Sequence, residues 1–329
     1  MTVRLLAFTD RGEALARTLA KHLDGEAARC GPDCPLSAWT EQAFSQGDAL
    51  VFVGAAGIAV RAIAPYVKSK AADPAVVVVD EAGKYAIPIL SGHLGGANAL
   101  ARRIAACIGG RAILTTATDL NQVFAVDLWA KAQGCAVPEP GRIKRVSARL
   151  LAGEPVGFES DFPLPEPYPA GLTPGSGAGF TVSIDRKDDE RLHLVPRIVT
   201  LGIGCKKATT QEAIEAAYRT LLDRSTLHPL SILQVCTIDR KGEEPGLLAF
   251  CAAHGWPLRT FSAEALSAVR GTFTGSAFVE QTVGVDNVCE RAAVLGSGGT
   301  LLIPKQAAGG VTLAAASAPF HPDWRWQDV

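Results

Sequence analysis

The run "AVVVVD" (75–80) sets four β-branched residues side by side. Valine is stiff at χ1 and packs well on a pleated surface, so such a run predicts a strand. With no polar residue between the valines, both faces of that strand must be covered. "VRLLAF" (3–8), "ALVFV" (49–53) and "AILTT" (112–116) repeat the pattern, with helix-like segments between them. Residues 13–23 form one such segment. In another, Ala97, Leu100, Ala101, Ile104, Ala105 and Ile108 recur at helical spacing, with Asn98, Arg102 and Arg103 on the other face. Doubly covered strands alternating with helices predict an α/β fold with a parallel or mixed sheet.

The 329 residues allow two or three domains. Between about 137 and 196 the texture changes: prolines and glycines crowd "FPLPEPYPAGLTPGSGAG" (162–179), and "TVSID" (181–185) is a short strand candidate. This segment reads as a small inserted subdomain or a structured linker. A second α/β block opens with "RIVTLGIG" (197–204). Thr209 and Glu212 have capping-box spacing before a helix with Ile214, Ala217, Tyr218, Leu221 and Leu222 on one face. "SILQVCTID" (231–239) and "LRTFS" (258–262) add strands, and "TLLIPKQAAGGVTLAAAS" (300–317) reads as a hairpin. The expected architecture is two α/β units, residues 1–132 and 197–329, with a small proline-rich middle segment at 133–196.

Several function classes drop out. Apolar residues make up 48% of the chain and charged ones 20%, which fits a compact protein. A formal net charge of −1 supplies no basic field, so nucleic acid is not an expected partner. There is neither an 18-residue apolar span nor a signal-like N-terminus, so no membrane association is expected and the location should be cytoplasmic. Of eight cysteines only Cys30 and Cys34 lie close, in "CGPDC", and they read as a reduced loop rather than a zinc site. "GIGCKK" has Lys207 where a dinucleotide fingerprint needs its third glycine, and no P-loop motif occurs.

Three glycine-bearing turns stand between strands and helices: "VGAAGI" (53–58), "SGHLGGA" (91–97) and "LGIGCKK" (201–207). Glycine lets a ligand approach the backbone, and the unpaired amides of a helix N-terminus suit carboxylates or phosphates. Arg61, Lys206 and Lys207 lie beside two of these turns. His93 sits inside the third, where an imidazole could take a proton from water and return it to a leaving group. The other five histidines have no partners in sequence. Glu280, Lys241, Glu244 and Lys305, taken alone, read as surface charges.

Taken together these segments resemble the cobalt-precorrin-5A hydrolase family of anaerobic-type cobalamin biosynthesis. Residues 57–105 with "ILTTATD" (113–119) carry the first part, "LSGHLGGAN" being its most specific stretch. "GIGCKKATT" (202–210), "DRKGEEPGL" (239–247), "VGVDNVCERAAVL" (283–295) and "PKQAAGGVTLAAA" (304–316) carry the second. "VCERAAVL" departs from a more alanine-rich family pattern at Cys289 and Arg291. The resemblance implies opening of the δ-lactone of cobalt-precorrin-5A and release of a bridging carbon with its methyl group as acetaldehyde, giving cobalt-precorrin-5B. Cobalt would arrive inside the substrate, so neither a cofactor nor a protein metal site is expected. A macrocycle bearing several carboxylates calls for spread cations and amides. The expected contacts are Gly54, Gly57, Arg61, Gly92, Gly95, Gly96, Asn98, Gly204, Lys206, Lys207 and Lys305, with Lys68 and Lys70 as further cations. His93 is the first choice of base and Glu280 the second, with the amides of Gly95 and Gly96 as oxyanion donors. A cleft between the two α/β units would suit so large a substrate. Other enzymes of the pathway and a second copy of the chain are compatible partners. A non-catalytic corrinoid-binding or carrier protein is the alternative, and turnover separates the two.

Overall fold

The computed structural model describes residues 2–69, 72–93, 95–121, 123–175, 177, 179–276, 281 and 284–326. Three separate sheets succeed one another along the chain. The first contains β1 (Val3–Ala7), β2 (Glu26–Arg29), β3 (Ala49–Val53), β4 (Val76–Val79), β5 (Tyr85–Leu90) and β6 (Arg111–Ala112), in the order β2-β1-β3-β4-β5-β6. Its pairs are parallel except β4–β5. Helices α1 (Asp10–Leu23) and α4 (Ala97–Ile108) cover one face; α2 (Leu36–Ser45) and α3 (Ala56–Ile63) cover the other. Leu5, Val51 and Val77 belong to the first core, and Leu6, Phe52 and Val78 to the second. The unbroken apolar runs are therefore explained by two-sided burial. Of "AILTT" only Ala112 enters β6, where Arg111 precedes it. Thr9 caps α1 by accepting from the Gly12 amide.

The middle segment has a sheet of its own, β7-β11-β10-β8-β9, from β7 (Cys135–Ala136), β8 (Val156–Ser160), β9 (Leu172–Pro174), β10 (Phe180–Val182) and β11 (Leu192–Pro196). The short α5 (Ala117–Leu120) precedes it in the chain. The middle core takes in residues on both sides of the boundary expected at 132, for α6 (Val126–Ala132) contributes Val126, Trp129 and Ala130. Helix α7 (Ile143–Leu151) lays Ile143, Val146 and Leu150 into the same core. So does the C-terminal tail, whose Trp324 stacks on Trp129 at 5.1 Å between ring centroids.

The third sheet runs β14-β13-β12-β16-β15, from β12 (Val199–Cys205), β13 (Ile232–Ile238), β14 (Leu258–Phe261), β15 (Thr300–Ala308) and β16 (Val311–Ser317). The first three are mutually parallel, and the expected hairpin supplies the antiparallel β15–β16 pair. Helices α8 (Gln211–Asp223) and α9 (Pro245–His254) cover one face; α10 (Ala263–Ser267) and α11 (Cys289–Ser297) cover the other. The capping residue of α8 is Thr210, not Thr209: its Oγ1 accepts from the Ala213 amide, while the Thr209 hydroxyl donates to the Lys206 carbonyl. Gly202 is obligatory, since a Cβ there would lie 1.8 Å from the Cys289 carbonyl oxygen. That close approach seats the start of α11 on β12.

Candidate active site

The turn at residues 91–96 leaves β5 and opens α4. Its glycines serve the chain itself. A Cβ on Gly92 would sit 2.8 Å from Asn98 Oδ1, and one on Gly95 would sit 2.3 Å from the Ser91 Cβ. The space expected for a ligand is filled by protein at both positions. The amides are turned inward as well: Gly96 N–H donates to the His93 carbonyl at 2.9 Å, and Ala97 and Asn98 donate to the carbonyls of Ser91 and Gly92. The expected oxyanion donor at Gly96 is thus already engaged. Nor does Asn98 lie on an outer face. It is 4% exposed, and its Nδ2 donates to Thr116 Oγ1 at 2.9 Å, tying the exits of β5 and β6 together.

His93 is held differently. Its Nδ1 lies 3.1 Å from Oδ2 of Asp127, a buried residue in the first turn of α6. Burial pushes the Asp127 carboxyl up, but the hydrogen bond and charge of His93, with the amides of Leu128 and of Asp127 itself, hold it below its ordinary value. One helical turn further, Lys131 places its ammonium over Gly96, 3.4 Å from where a Cβ would stand. Sequence reasoning missed both residues. Asp127 and Lys131 share a helix face at i, i+4, but nothing local ties that face to a turn 34 residues earlier.

The other N-terminal candidates lie elsewhere. In the register of the sheet, Val53 pairs with Val79, whereas Leu90 pairs with Val76. Because β5 runs against β4, the His93 turn emerges at the opposite edge from Gly54. The two edges are three residue steps apart, roughly 10 Å of strand. Gly54 abuts Phe8, and the Arg61 guanidinium folds back toward Gly57. These three residues therefore lie at the other edge of the sheet from His93. The amide of Lys68 donates to the Asp73 carboxylate beside the start of β4, at the edge His93 occupies. Glu280 and Lys70 lie outside the described residues.

A cavity of about 510 Å³ opens where β12 and β13 end, beside the start of α11. It brings together Gly204, Lys206, Lys207 and Lys305, as expected, and adds Arg240, Lys241, Asn287 and Cys289. Among the described residues that line it, five are cationic and none is acidic. Ile238, Val288, Ala307 and Val311 supply apolar wall. Lys241 and Glu244 are not the free surface charges they seem in sequence. Lys241 Nζ meets Glu244 Oε2 at 2.9 Å, and the same carboxylate accepts from the Ala208 amide, pinning the Lys206–Lys207 turn. The Lys241 hydrogen bond and the Ala208 amide hold Glu244 below its usual range. Burial pushes up the thiols of Cys205 and Cys289, the latter to about 11, so neither is a thiolate nucleophile at neutral pH. Every described residue that lines it comes from the third unit, so among the described residues this cavity is not a cleft between units. Among the described residues, no group of three or more His, Cys, Asp or Glu is placed to hold a metal ion.

Residues 38–119 match the family described as "Cobalamin synthesis G N-terminal", 124–196 "Cobalamin biosynthesis central region", and 199–316 "Cobalamin synthesis G C-terminus". A cobalt-precorrin-5A hydrolase of Salmonella typhimurium is 35% identical over 96% of this chain and 98% of its own. The chain belongs to the cobalt-precorrin-5A hydrolase family. A second member, from Priestia megaterium, is 31% identical over 84% of this chain and 80% of its own. A relative from Methanocaldococcus jannaschii, 26% identical, covers 90% of each. On this cobalt-precorrin-5A hydrolase scaffold, the His93–Asp127 contact joins the N-terminal match to the central one, and the cationic cavity lies inside the C-terminal match.

Proposed function

We propose that the chain is the hydrolase that opens the δ-lactone of cobalt-precorrin-5A and releases acetaldehyde to give cobalt-precorrin-5B. The observation that carries this reading is 35% identity to a hydrolase of that name across nearly the whole of both chains. The cavity agrees with it: apolar walls suit a macrocycle, and five cations suit its carboxylates. Cobalt belongs to the substrate in this reading, and the protein supplies no cofactor.

His93 serves as the base. It takes a proton from water as the oxygen adds to the lactone carbonyl, and the tetrahedral intermediate collapses by breaking the ring C–O bond. A carboxylate and an alcohol result. Loss of the alcohol proton then breaks the neighbouring C–C bond, and the bridging carbon leaves with its methyl group as acetaldehyde. The electron pair passes to the macrocycle, which takes up a proton. With the Gly96 amide engaged, Lys131 is the cation available to the developing oxyanion. The eight cysteines are all free thiols, which supports a cytosolic setting; among the described residues no helix is long and apolar enough to cross a membrane.

Anaerobic incubation with cobalt-precorrin-5A should yield one acetaldehyde per substrate consumed. A carrier would bind the macrocycle and leave its lactone intact. The His93→Ala variant should fold and bind substrate but turn over on the order of 10²–10⁴-fold more slowly. Near-wild-type turnover per folded molecule would remove His93 from the chemistry.

A further inference from the structure

We infer that Glu244 is a positioning residue for substrate binding: from behind the cationic cavity it holds together the two loops that supply four of its five cations. The inference rests on the substrate proposed above for what the cavity receives, and on geometry for the rest. Lys206 and Lys207 come from the link between β12 and α8, Arg240 and Lys241 from the link between β13 and α9. Both links leave the carboxyl ends of neighbouring parallel strands, and beyond the last pair, Gly202 with Cys236, the sheet no longer sets their separation. Glu244 does. Its Oε2 meets Lys241 Nζ at 2.9 Å, and its Oε1 accepts from the Ala208 amide. The residue is 9% exposed and is not among the described residues that line the cavity, so its carboxylate acts as a strut behind the wall.

The first loop keeps its shape only because it is held. Ala208 has a φ of 59°, in the left-handed region that a residue with a Cβ adopts at a cost. The Thr209 hydroxyl donates to the Lys206 carbonyl at 2.8 Å, and the Lys206 amide donates to the Gly310 carbonyl at 3.4 Å. The second loop is pressed against it. Glu244 immediately precedes α9, where a Cβ on Gly246 would lie 2.1 Å from the Thr209 carbonyl oxygen. Charge and geometry pull in opposite directions here. A carboxylate beside the cavity repels an anionic substrate, so whatever Glu244 contributes to binding must come from placing the cations.

Two measurements test it. In the resting protein without substrate, hydrogen exchange followed by NMR should find the Ala208 amide protected although the residue is exposed, and exchanging on the order of tenfold faster in Glu244→Ala. Anaerobic absorption titration with cobalt-precorrin-5A should give a Kd on the order of tenfold higher in Glu244→Ala per folded molecule, with KM following and kcat within about twofold. Glu244→Gln, which keeps one acceptor oxygen in place of two, should lose less. Adding Ala208→Gly to Glu244→Ala should recover part of the affinity, because glycine enters the left-handed region without penalty. Coulomb attraction alone predicts the reverse sign, since removing a negative charge beside the cavity should tighten its hold on an anion. Unchanged or tighter binding by Glu244→Ala would therefore overturn the inference, and so would an Ala208 amide that exchanges equally fast in both proteins. A wild type that takes up no macrocycle would remove the ligand assigned to the cavity and the inference with it. Variants that bind as expected, beside a wild type that releases no acetaldehyde, would instead sink the hydrolase reading and leave the positioning role standing.

Discussion

Glu290 is 1% exposed, yet four donors surround its carboxylate. Oε1 accepts from the Lys305 amide and the Thr274 hydroxyl; Oε2 accepts from the Thr274 amide and Asn287 Nδ2. The residue joins three segments around the cationic cavity: the strand bearing Lys305, the start of α11, and the loop at Thr274. In Glu290→Gln, either orientation of the new amide turns its NH₂ toward a backbone N–H that cannot accept. Each such mismatch costs about 1–3 kcal/mol. The melting temperature should fall by about 2–4 °C for each kcal/mol lost. Because the strand carrying Lys305 loses its anchor, KM should rise while kcat per folded molecule holds. An unchanged melting temperature and KM would show that the network is dispensable. In sequence Glu290 is one more charge at the start of a helix. Its partners stand 3, 15 and 16 residues away, and only the fold brings them together.

At the level of elements, the apolar runs were legible because two-sided burial leaves a local signature, as Val77 and Val78 show by facing different cores. The direction of β5 was not legible. "IPIL" is compatible with either pairing sense, and the reversal against β4 is what sends His93 and Gly54 to opposite edges. Glycines announce turns, but whether a ligand or the chain itself fills the space depends on the fold, and Ser91 and Asn98 fill it here. Another pairing hidden from sequence joins the middle and third units. His193 on β11 and His228, in the turn before β13, meet edge to face at 5.5 Å, and His193 Nε2 has no hydrogen-bond partner among the described residues. Burial depresses both imidazoles, and His193 lowers His228 further, while Glu139 works against the shift on both. The folded values lie below the ordinary value of about 6.5, so the unfolded chain binds more protons beneath that pH. The stability the pair contributes is therefore complete above about pH 6.5 and is lost as acidification carries the protein through the folded values. Melting temperature followed from pH 8 to 5 should drop less steeply in a His193→Gln, His228→Gln double variant. A slope identical to wild type would clear the pair of any part in it.

Across the whole molecule, the proposed function assigns recognition and proton transfer to different units: the cations of the cavity belong to the third, while the His93–Asp127 contact spans the first two. Replacing Lys206 and Lys207 together with alanine should therefore raise KM and its dependence on salt should weaken, with kcat nearly kept. A loss confined to kcat would contradict a binding role. The tail that docks on the middle core has a further consequence, which concerns the order of synthesis. The first sheet and its helices are complete by residue 112, and nothing later in the chain is needed to pair their strands. The middle core closes only when Phe320, Trp324 and Trp326 arrive, after every other element described has left the ribosome. Until then its aromatic centre, Phe124, Trp129, Phe158 and Phe180, stands uncovered on that side. The interval during which the nascent chain is open to proteases and to holdase chaperones is thus set by translation of the entire third unit, and a ribosome pause there would lengthen it.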